Sequence, residues 1–479
     1  MGAFMASLDL SIVNVAFPAL ERAFAHDTRA GLSWVLTAYA IVFGSLLVVA
    51  GRTADRLGSR RVFFVGLGVF CLGSLACATA PSLPALIIGR AVQGVGAATL
   101  LPASLGLLLG AYPKDRRSQV VALWGGIGAL AVATGPSLGA ALITGLGWRA
   151  AFYVNLPVGL GAWLLGRRVL PRSSGATTAR PDFFGVVLLS SALAALVLAI
   201  SQGPTWGWAS ARVGAGFVTA VLLASTFLWR SARHLEPVLD LGLFRARSFR
   251  VANAAAVLYS MGFFAMLLGN ILFLTSVWHY PILEAGLAVT PGPLVVAAVS
   301  GSAGKLAGRH GFRPVLLTGF AVFTVGLVWF VVRVGLQPDY PRIWLPGTLI
   351  VGLGIGLTFP VLSAAAVSSL EAARYAVGSA VNQTARQVGG AIGVALLVVI
   401  LGAPSTAPEA LRGFQHLWIF AATTAALAGL VSVRLRSAAP VPVATSVVDE
   451  ALALEAVLDA EPIIEPDPLR SSREALEGA

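Results

Sequence analysis

Long apolar runs separated by short polar loops make up most of the chain, and the length of those runs is the first constraint on the fold. Fourteen of them come close to the roughly 20 residues a helix needs to cross a hydrocarbon core. They lie at about 4–21, 33–51, 61–80, 83–110, 119–144, 150–166, 183–201, 211–230, 250–278, 286–304, 313–333, 342–369, 376–402 and 414–433. The runs are continuous, without the alternating segments of about ten residues that mark a membrane barrel. The predicted fold class is therefore an all-α polytopic membrane protein with fourteen transmembrane helices. The first run lacks a basic leader region and carries Asp9, so it reads as a span and not as a cleaved peptide.

The loops test this count. Alternate loops carry most of the basic residues: Arg52, Arg56, Arg60 and Arg61, then Lys114, Arg116 and Arg117, then Arg167, Arg168, Arg172 and Arg180, and so on to Arg434 and Arg436. The opposite set holds about a third as many, Arg22, Arg29 and Arg149 among them. Basic residues stay on the cytoplasmic side, so the bias puts both termini in the cytoplasm of a multi-pass inner-membrane protein. A single missed span would scramble the alternation. Beyond Arg436 the chain becomes acidic and contains prolines, and it is expected to be a disordered cytoplasmic tail. A short amphipathic helix near 447–458 is the other reading.

Composition agrees. Of 479 residues, 57% are hydrophobic and 11% charged, with a mean hydropathy of +0.84. Soluble domains carry about 25% charged residues, so this chain cannot cover a water-facing surface and its partner is the lipid bilayer. The net charge of +12 sits at the ends of apolar runs, which excludes a nucleic-acid interface. Cys71 and Cys77 share one apolar run and read as packing residues. The aromatic residues are expected to face lipid or the interface for the most part.

An internal repeat divides the chain. The segment from Gly51 to Arg60 (Gly51-Arg52-Thr53-Ala54-Asp55-Arg56-Leu57-Gly58-Ser59-Arg60) recurs from Gly304 to Arg313, an offset of 253 positions. Gly94, Gly96 and Pro102 recur as Gly352, Gly354 and Pro360, an offset of 258. Duplicated halves around a midplane site are a common transporter design. The expected organisation is a six-helix bundle over 1–170, two extra helices with their links over 171–249, a second six-helix bundle over 250–436 and the tail over 437–479.

Few polar residues lie inside the spans. Asp9 is the one acidic residue well within a run, and a charge there costs a few kcal/mol unless it faces a cavity and works. It is either a titratable coupling group or a solvated residue near the start of its span. Arg90 and Arg386 are the embedded bases, and neither can discharge by losing a proton. Gln93 lies one turn from Arg90, and Asn382 one turn before Arg386. Asn382 and Arg386 either line a cavity or hold the halves together. Gly135, Pro136 and Gly139 should bend the fifth span and let it pack closely. There is no phosphate-binding glycine loop with lysine, no metal-ligand spacing and no nucleophile motif. The chain is accordingly expected to be no enzyme, to need no cofactor and to draw its energy from an ion gradient.

Several motifs together resemble the major facilitator superfamily, specifically its fourteen-helix drug:proton antiporter family, over residues 5 to about 434. They are Leu8-Asp9-Leu10-Ser11-Ile12-Val13-Asn14-Val15-Ala16-Phe17-Pro18, the Gly51–Arg61 loop, Ile88-Gly89-Arg90-Ala91-Val92-Gln93-Gly94-Val95-Gly96, and Gly135-Pro136-Ser137-Leu138-Gly139. Trp148 to Pro157, including Asn155, and Asn382 to Gly390 fit the same family. Ala140 departs from it, standing where a second glycine is usual. The resemblance implies two six-helix bundles plus a linking pair, and a monomer exporting a lipophilic drug or antibiotic against a proton gradient by alternating access. It implies proton coupling at Asp9 and Arg90, and a cytoplasmic gate built from Gly51, Asp55, Arg56, Gly58, Arg60 and Arg61. Gly308 replaces Asp55 in the second copy, so that gate should be asymmetric. Asn14, Gln93, Asn382 and Arg386 are candidate cavity residues, and Gly135, Pro136 and Gly139 form an antiporter-type helix motif. An importer on the same fold is the first alternative, and the fifth-helix motif argues against it. A membrane sensor or enzyme is the second, and no catalytic constellation supports it. One embedded acid against two embedded bases favours neutral or weakly anionic substrates over multivalent cations. The 31 Arg against 2 Lys point to a high-GC bacterial genome.

Overall fold

A computed structural model describes residues 1–112, 117–170, 182–235, 237–370 and 375–435, without the side chains at 109, 110, 117–126, 129, 375 and 376. The acidic tail and its candidate helix at 447–458 lie outside the described residues, as do Lys114, Arg116, Arg172, Arg180, Arg374 and Arg436. The chain is all-α, with no strand among the described residues. The helices are α1 (Gly2–Ala23), α2 (Arg29–Leu57), α3 (Ser59–Ala78), α4 (Leu83–Ala111), α5 (Arg117–Leu146), α6 (Ala150–Tyr153), α7 (Asn155–Val169), α8 (Phe183–Trp206) and α9 (Ala211–Arg233). After them come α10 (Arg247–Ser276), α11 (Ile282–Val289), α12 (Pro291–His310), α13 (Phe312–Arg333), α14 (Leu345–Val367), α15 (Tyr375–Leu401) and α16 (Ala407–Ser432).

Two of the spans read from the sequence are each built from two pieces. The sixth breaks at Val154 into α6 and α7, and the tenth breaks at Thr290, before Pro291, into α11 and α12. Twelve described helical segments are individually long and apolar enough to cross a bilayer. With α5 and the α6/α7 pair they make the fourteen crossings of a two-bundle membrane fold.

The ends of the helices are written locally. Thr28, Asp182, Ser210 and Thr406 accept hydrogen bonds from backbone N–H groups of the first turns of α2, α8, α9 and α16. Gly58 and Gly311 sit in the left-handed region, at φ 89° and 86°, between α2 and α3 and between α12 and α13. They are repeat mates, 253 positions apart, so each half turns its second span into its third with the same residue in the same conformation.

The repeat also holds in the packing of α3 on α4 and of α13 on α14. A side chain on Gly96 would strike the backbone N of Phe70, and one on Gly354 would lie 2.5 Å from the backbone N of Phe323. Gly73 against Gln93 corresponds in the same way to Gly326 against Val351. Small residues let helices approach closely in lipid, where no hydrophobic force drives them together.

Spans α1–α7 and α10–α16 form two bundles that meet along α1 with α10, α2 with α15, and α5 with α11 and α12. Thr384 on α15 donates to the carbonyl of Gly44 on α2 at 2.7 Å, and the hydroxyls of Ser137 and Thr290 lie 2.6 Å apart. Helix α8 packs beside the α2/α15 seam and α9 packs on α8, so the extra pair flanks the junction. One apolar core runs through both bundles. It includes Phe17 and Leu20 of α1, Ile143 of α5, Ile271 of α10 and Ile282 of α11.

The aromatic residues correct one expectation. Phe273, Trp278, Phe330, Trp344, Phe414 and Trp418 form a buried cluster inside the second bundle, with ring centroids 4.8 to 6.5 Å apart. Hydropathy does not separate a lipid-facing ring from one between helices, because both surroundings are apolar. Ring-on-ring packing decides, joined by indole hydrogen bonds at Trp278 and Trp418. Trp418 donates to Asn270 Oδ1 at 3.0 Å and Trp278 to the carbonyl of Gly335 at 2.9 Å. Trp208 and Trp229 do stay on the outside.

Candidate functional site

Five helices converge on one polar cluster inside the first bundle. Helix α1 brings Asp9, α4 brings Arg90 and Gln93, α3 brings Ser74, and α7 begins at Asn155, just after the break at Val154. Arg90 Nη1 donates to Asp9 Oδ2 at 2.6 Å and to Gln93 Oε1 at 2.5 Å. Gln93 Nε2 donates to Asp9 Oδ1 at 2.7 Å and to Ser74 Oγ at 2.7 Å. Asn155 Nδ2 reaches the same two oxygens at 3.0 and 2.9 Å. From α2, the carbonyl of Val35 accepts from Arg90 Nε at 2.9 Å, and the Tyr39 ring lies 4.2 Å below the guanidinium.

Asp9 and Arg90 are both 0% exposed. The reading of Asp9 as a residue solvated near the start of its span is therefore set aside. A carboxylate with three donors and a guanidinium on two side-chain acceptors and a carbonyl suit the ionised pair. Removing one partner from such a pair costs about 3–5 kcal/mol, because the other charge stays buried alone. Among the described residues, two polar atoms of the cluster, Arg90 Nη2 and Asn155 Oδ1, have no hydrogen-bond partner.

Glycines bring the groups within reach. A side chain on Gly73 would lie 2.6 Å from the backbone N of Gln93, and one on Gly94 would lie 3.0 Å from the carbonyl of Tyr39. One turn along α1 from Asp9, α5 presses just as closely: Gly135 abuts Ser11 and Gly139 abuts Ile12. Ser11 Oγ donates to the carbonyl of Val132 at 3.2 Å. The fifth-helix motif therefore lies between the helix that carries Asp9 and the second bundle, where Gly286 of α11 packs on Pro136 and Ala140.

The four candidate cavity residues fall in different places. Gln93 belongs to the Asp9 cluster, and Asn14 donates to the carbonyl of Leu10 in its own helix at 2.7 Å. Asn382 lies in the second bundle, donating to Asn253 Oδ1 at 3.2 Å and accepting from Ser363 Oγ at 3.3 Å. Arg386 stacks on Phe359 with its guanidinium 4.0 Å from the ring centroid, and it makes no hydrogen bond or ion pair among the described residues. A desolvated cation–π contact contributes about 2 kcal/mol, less than the several kcal/mol that burying an isolated charge costs.

The candidate gate residues lie at the junction of α2 and α3. Asp55 and Arg61 are exposed, and Arg56 is partly so. Gly51 approaches Pro102 of α4 at ordinary contact distance. Arg60 donates to the carbonyl of Arg167 at 3.1 Å, and Arg60, Arg61, Phe64, Trp163 and Arg167 line an open recess.

Ser74, Tyr39 and Asn253 were not singled out from the sequence, and Asn155 was named only as part of the motif from Trp148 to Pro157, with no role. The repeat held a usable signal. Arg90, Gln93 and Ser74 have Thr348, Val351 and Leu327 as mates, so the second half carries no charge, amide or serine at the positions where the first half builds its cluster.

The family profile of the Major Facilitator Superfamily matches residues 1–394. The chain belongs to that superfamily. It is 34% identical over 404 residues to "Multidrug resistance protein Stp" of Mycobacterium tuberculosis, covering 84% of this chain and 74% of that one. It is 30% identical over 408 residues to the "Tetracenomycin C resistance and export protein" of Streptomyces glaucescens, with the same shares covered. Among solved structures, a bacterial homologue of the human drug peptide transporters PepT1 and PepT2 superposes with a TM-score of 0.62 at 17% identity, over 91% of this chain and 97% of that one. That likeness establishes the fold alone. The chain is thus a multi-pass bacterial membrane transporter related to the superfamily's multidrug- and antibiotic-resistance proteins, and not an enzyme.

Proposed function

We propose that this chain exports lipophilic small molecules, antibiotics among them, across the cytoplasmic membrane in exchange for protons, as a monomer with both termini in the cytoplasm. The observation that carries the reading is the sealed Asp9–Arg90 pair, joined by Gln93 and Asn155. Protonating Asp9 turns one of its oxygens into a donor and leaves Arg90 without its counter-charge. The ties from α1 to α4 and α7 then weaken together. Helix α1 also packs on α5 and on α10 of the other bundle, so a charge change at Asp9 reaches the seam along which the bundles rock.

The positive-inside bias places the Gly58 end in the cytoplasm. The Gly51–Arg61 loop then lies where a cytoplasmic latch has to be. The names of the relatives, resistance and export among them, support the outward direction.

The test is dye and drug accumulation in efflux-deficient cells expressing the chain. Accumulation is expected to fall, to recover with a protonophore, and to stay high with Asp9→Asn. Export by Asp9→Asn and Arg90→Ala at the normal rate along a pH gradient would overturn the coupling assignment.

A further inference from the structure

We propose that Arg386 is the docking point for an anionic group on the transported molecule, so that this protein takes amphiphilic aromatic acids, carboxylates or phenolates, in preference to cations. The inference rests on the exporter reading only in treating the bound molecule as cargo.

The contrast between the two interior arginines carries the argument. Arg90 is fully buried and has its own carboxylate. Arg386 has none: the described acids of the second half, Glu284, Asp339 and Glu409, sit at helix ends. Arg386 cannot lose its charge, and its Nε is shut off from solvent without an acceptor. Its side chain is nonetheless partly exposed, unlike that of Arg90. A planar guanidinium in that condition is matched by a carboxylate, which takes two parallel N–H donors at once.

The face on which Arg386 stands points inward. On α15, Gly389 and Gly393 press on the backbone of α10, and Ala391 and Ala395 pack in the core shared with α2 and α8. Asn382 and Arg386 are left facing α10 and α14, the sides of Asn253, Ser363 and Phe359. There the wall is aromatic. Phe359 packs against Phe263 at 4.8 Å and Tyr259 at 5.0 Å, and Phe263 against Phe264 at 5.2 Å. Phe263 and Phe264 remain partly exposed. An aromatic body would find ring faces beside the cation, with the Asn253–Asn382–Ser363 chain one turn away for further polar groups.

The experiment uses the full chain in lipid nanodiscs, with 1-naphthylacetate, its neutral amide and its trimethylammonium analogue as probes, read by quenching of tryptophan fluorescence. Wild type is expected to bind the acetate at least about tenfold more tightly than the amide, and the cation most weakly. Arg386→Gln should abolish the preference and leave the amide's affinity unchanged, while Arg386→Lys retains part of it. A merely structural Arg386 would weaken acetate and amide alike in Arg386→Gln, and that result overturns the proposal. Equal binding of the three probes by wild type, or preference for the cation, overturns it without any variant. Proteoliposomes separate this failure from that of the exporter reading. Proton-driven transport of a cationic dye without acetate preference sinks the anion site alone, whereas acetate preference without proton-driven transport sinks the exporter reading alone.

Discussion

Ala140 on α5 and Gly286 on α11 are complementary across the seam between the bundles: the Ala140 methyl occupies the space that a side chain on Gly286 would need. The backbone of α11 also comes close there, since that side chain would lie 2.7 Å from the carbonyl of Pro136. The alanine that departs from the family's glycine pattern thus has its missing glycine on the facing helix. Gly286→Val should wedge this seam apart. With Cys placed at both Ser137 and Thr290, whose hydroxyls lie 2.6 Å apart, oxidation should cross-link the two bundles efficiently and stop transport until the bond is reduced. Adding Gly286→Val should sharply lower the yield of cross-link on a gel. An unchanged yield would show that the seam tolerates the side chain.

The buried pair gives a second test. Asp9→Asn and Arg90→Gln should each destabilise the protein by about 3–5 kcal/mol, because each leaves one charge unpaired in a dry site. The double variant should be more stable than either single one, since no net charge then remains to desolvate. Melting temperatures of the three variants in one detergent would check the order. Additive losses would mean that the two side chains are not coupled.

Asn155 is tested through its hydrogen bonds. Asn155→Ala removes one donor that serves both Asp9 and Ser74, at a cost of about 1–3 kcal/mol. Ser74→Leu, which installs the second-half residue, should cost more, because a leucine must fit among Gln93, Asn155 and Asp9. Thermal unfolding of both variants in nanodiscs would rank them.

The repeat makes a paired prediction. Gly96→Ala and Gly354→Ala should lower the melting temperature by similar amounts, because each new methyl meets a backbone N of the neighbouring helix. Gly68→Ala is the control: no described residue lies within 4 Å of its would-be side chain, so it should be neutral or slightly stabilising through helix propensity.

Much of this molecule could be read before its folding was known. Run length gave the crossings, and the spacing of arginines gave their alternation. Asp9 and Arg90 stood out because a charge inside an apolar run is costly unless the fold gives it a partner or a cavity. The offsets of 253 and 258 positions reappear as matched helix contacts, Gly96 with Phe70 and Gly354 with Phe323. The partners of Asp9 were harder to see. Ser74 and Asn155 are ordinary small polar residues, and only their meeting, from helices far apart in the chain, makes them a site.

What the sequence determined by itself follows from local physics: hydrophobic length, charge placement, helix caps, and the left-handed glycines at 58 and 311. What only the tertiary structure decided is which side of each helix faces lipid and which faces another helix. In a membrane both surroundings are apolar, so hydropathy does not tell them apart. Trp344 is buried by ring packing, and Trp418 by ring packing and its hydrogen bond to Asn270, whereas Trp229 is outside. The same holds for the two arginines. Each is a charge in an apolar run, and only the folded arrangement gives a carboxylate to Arg90 and a phenyl ring to Arg386.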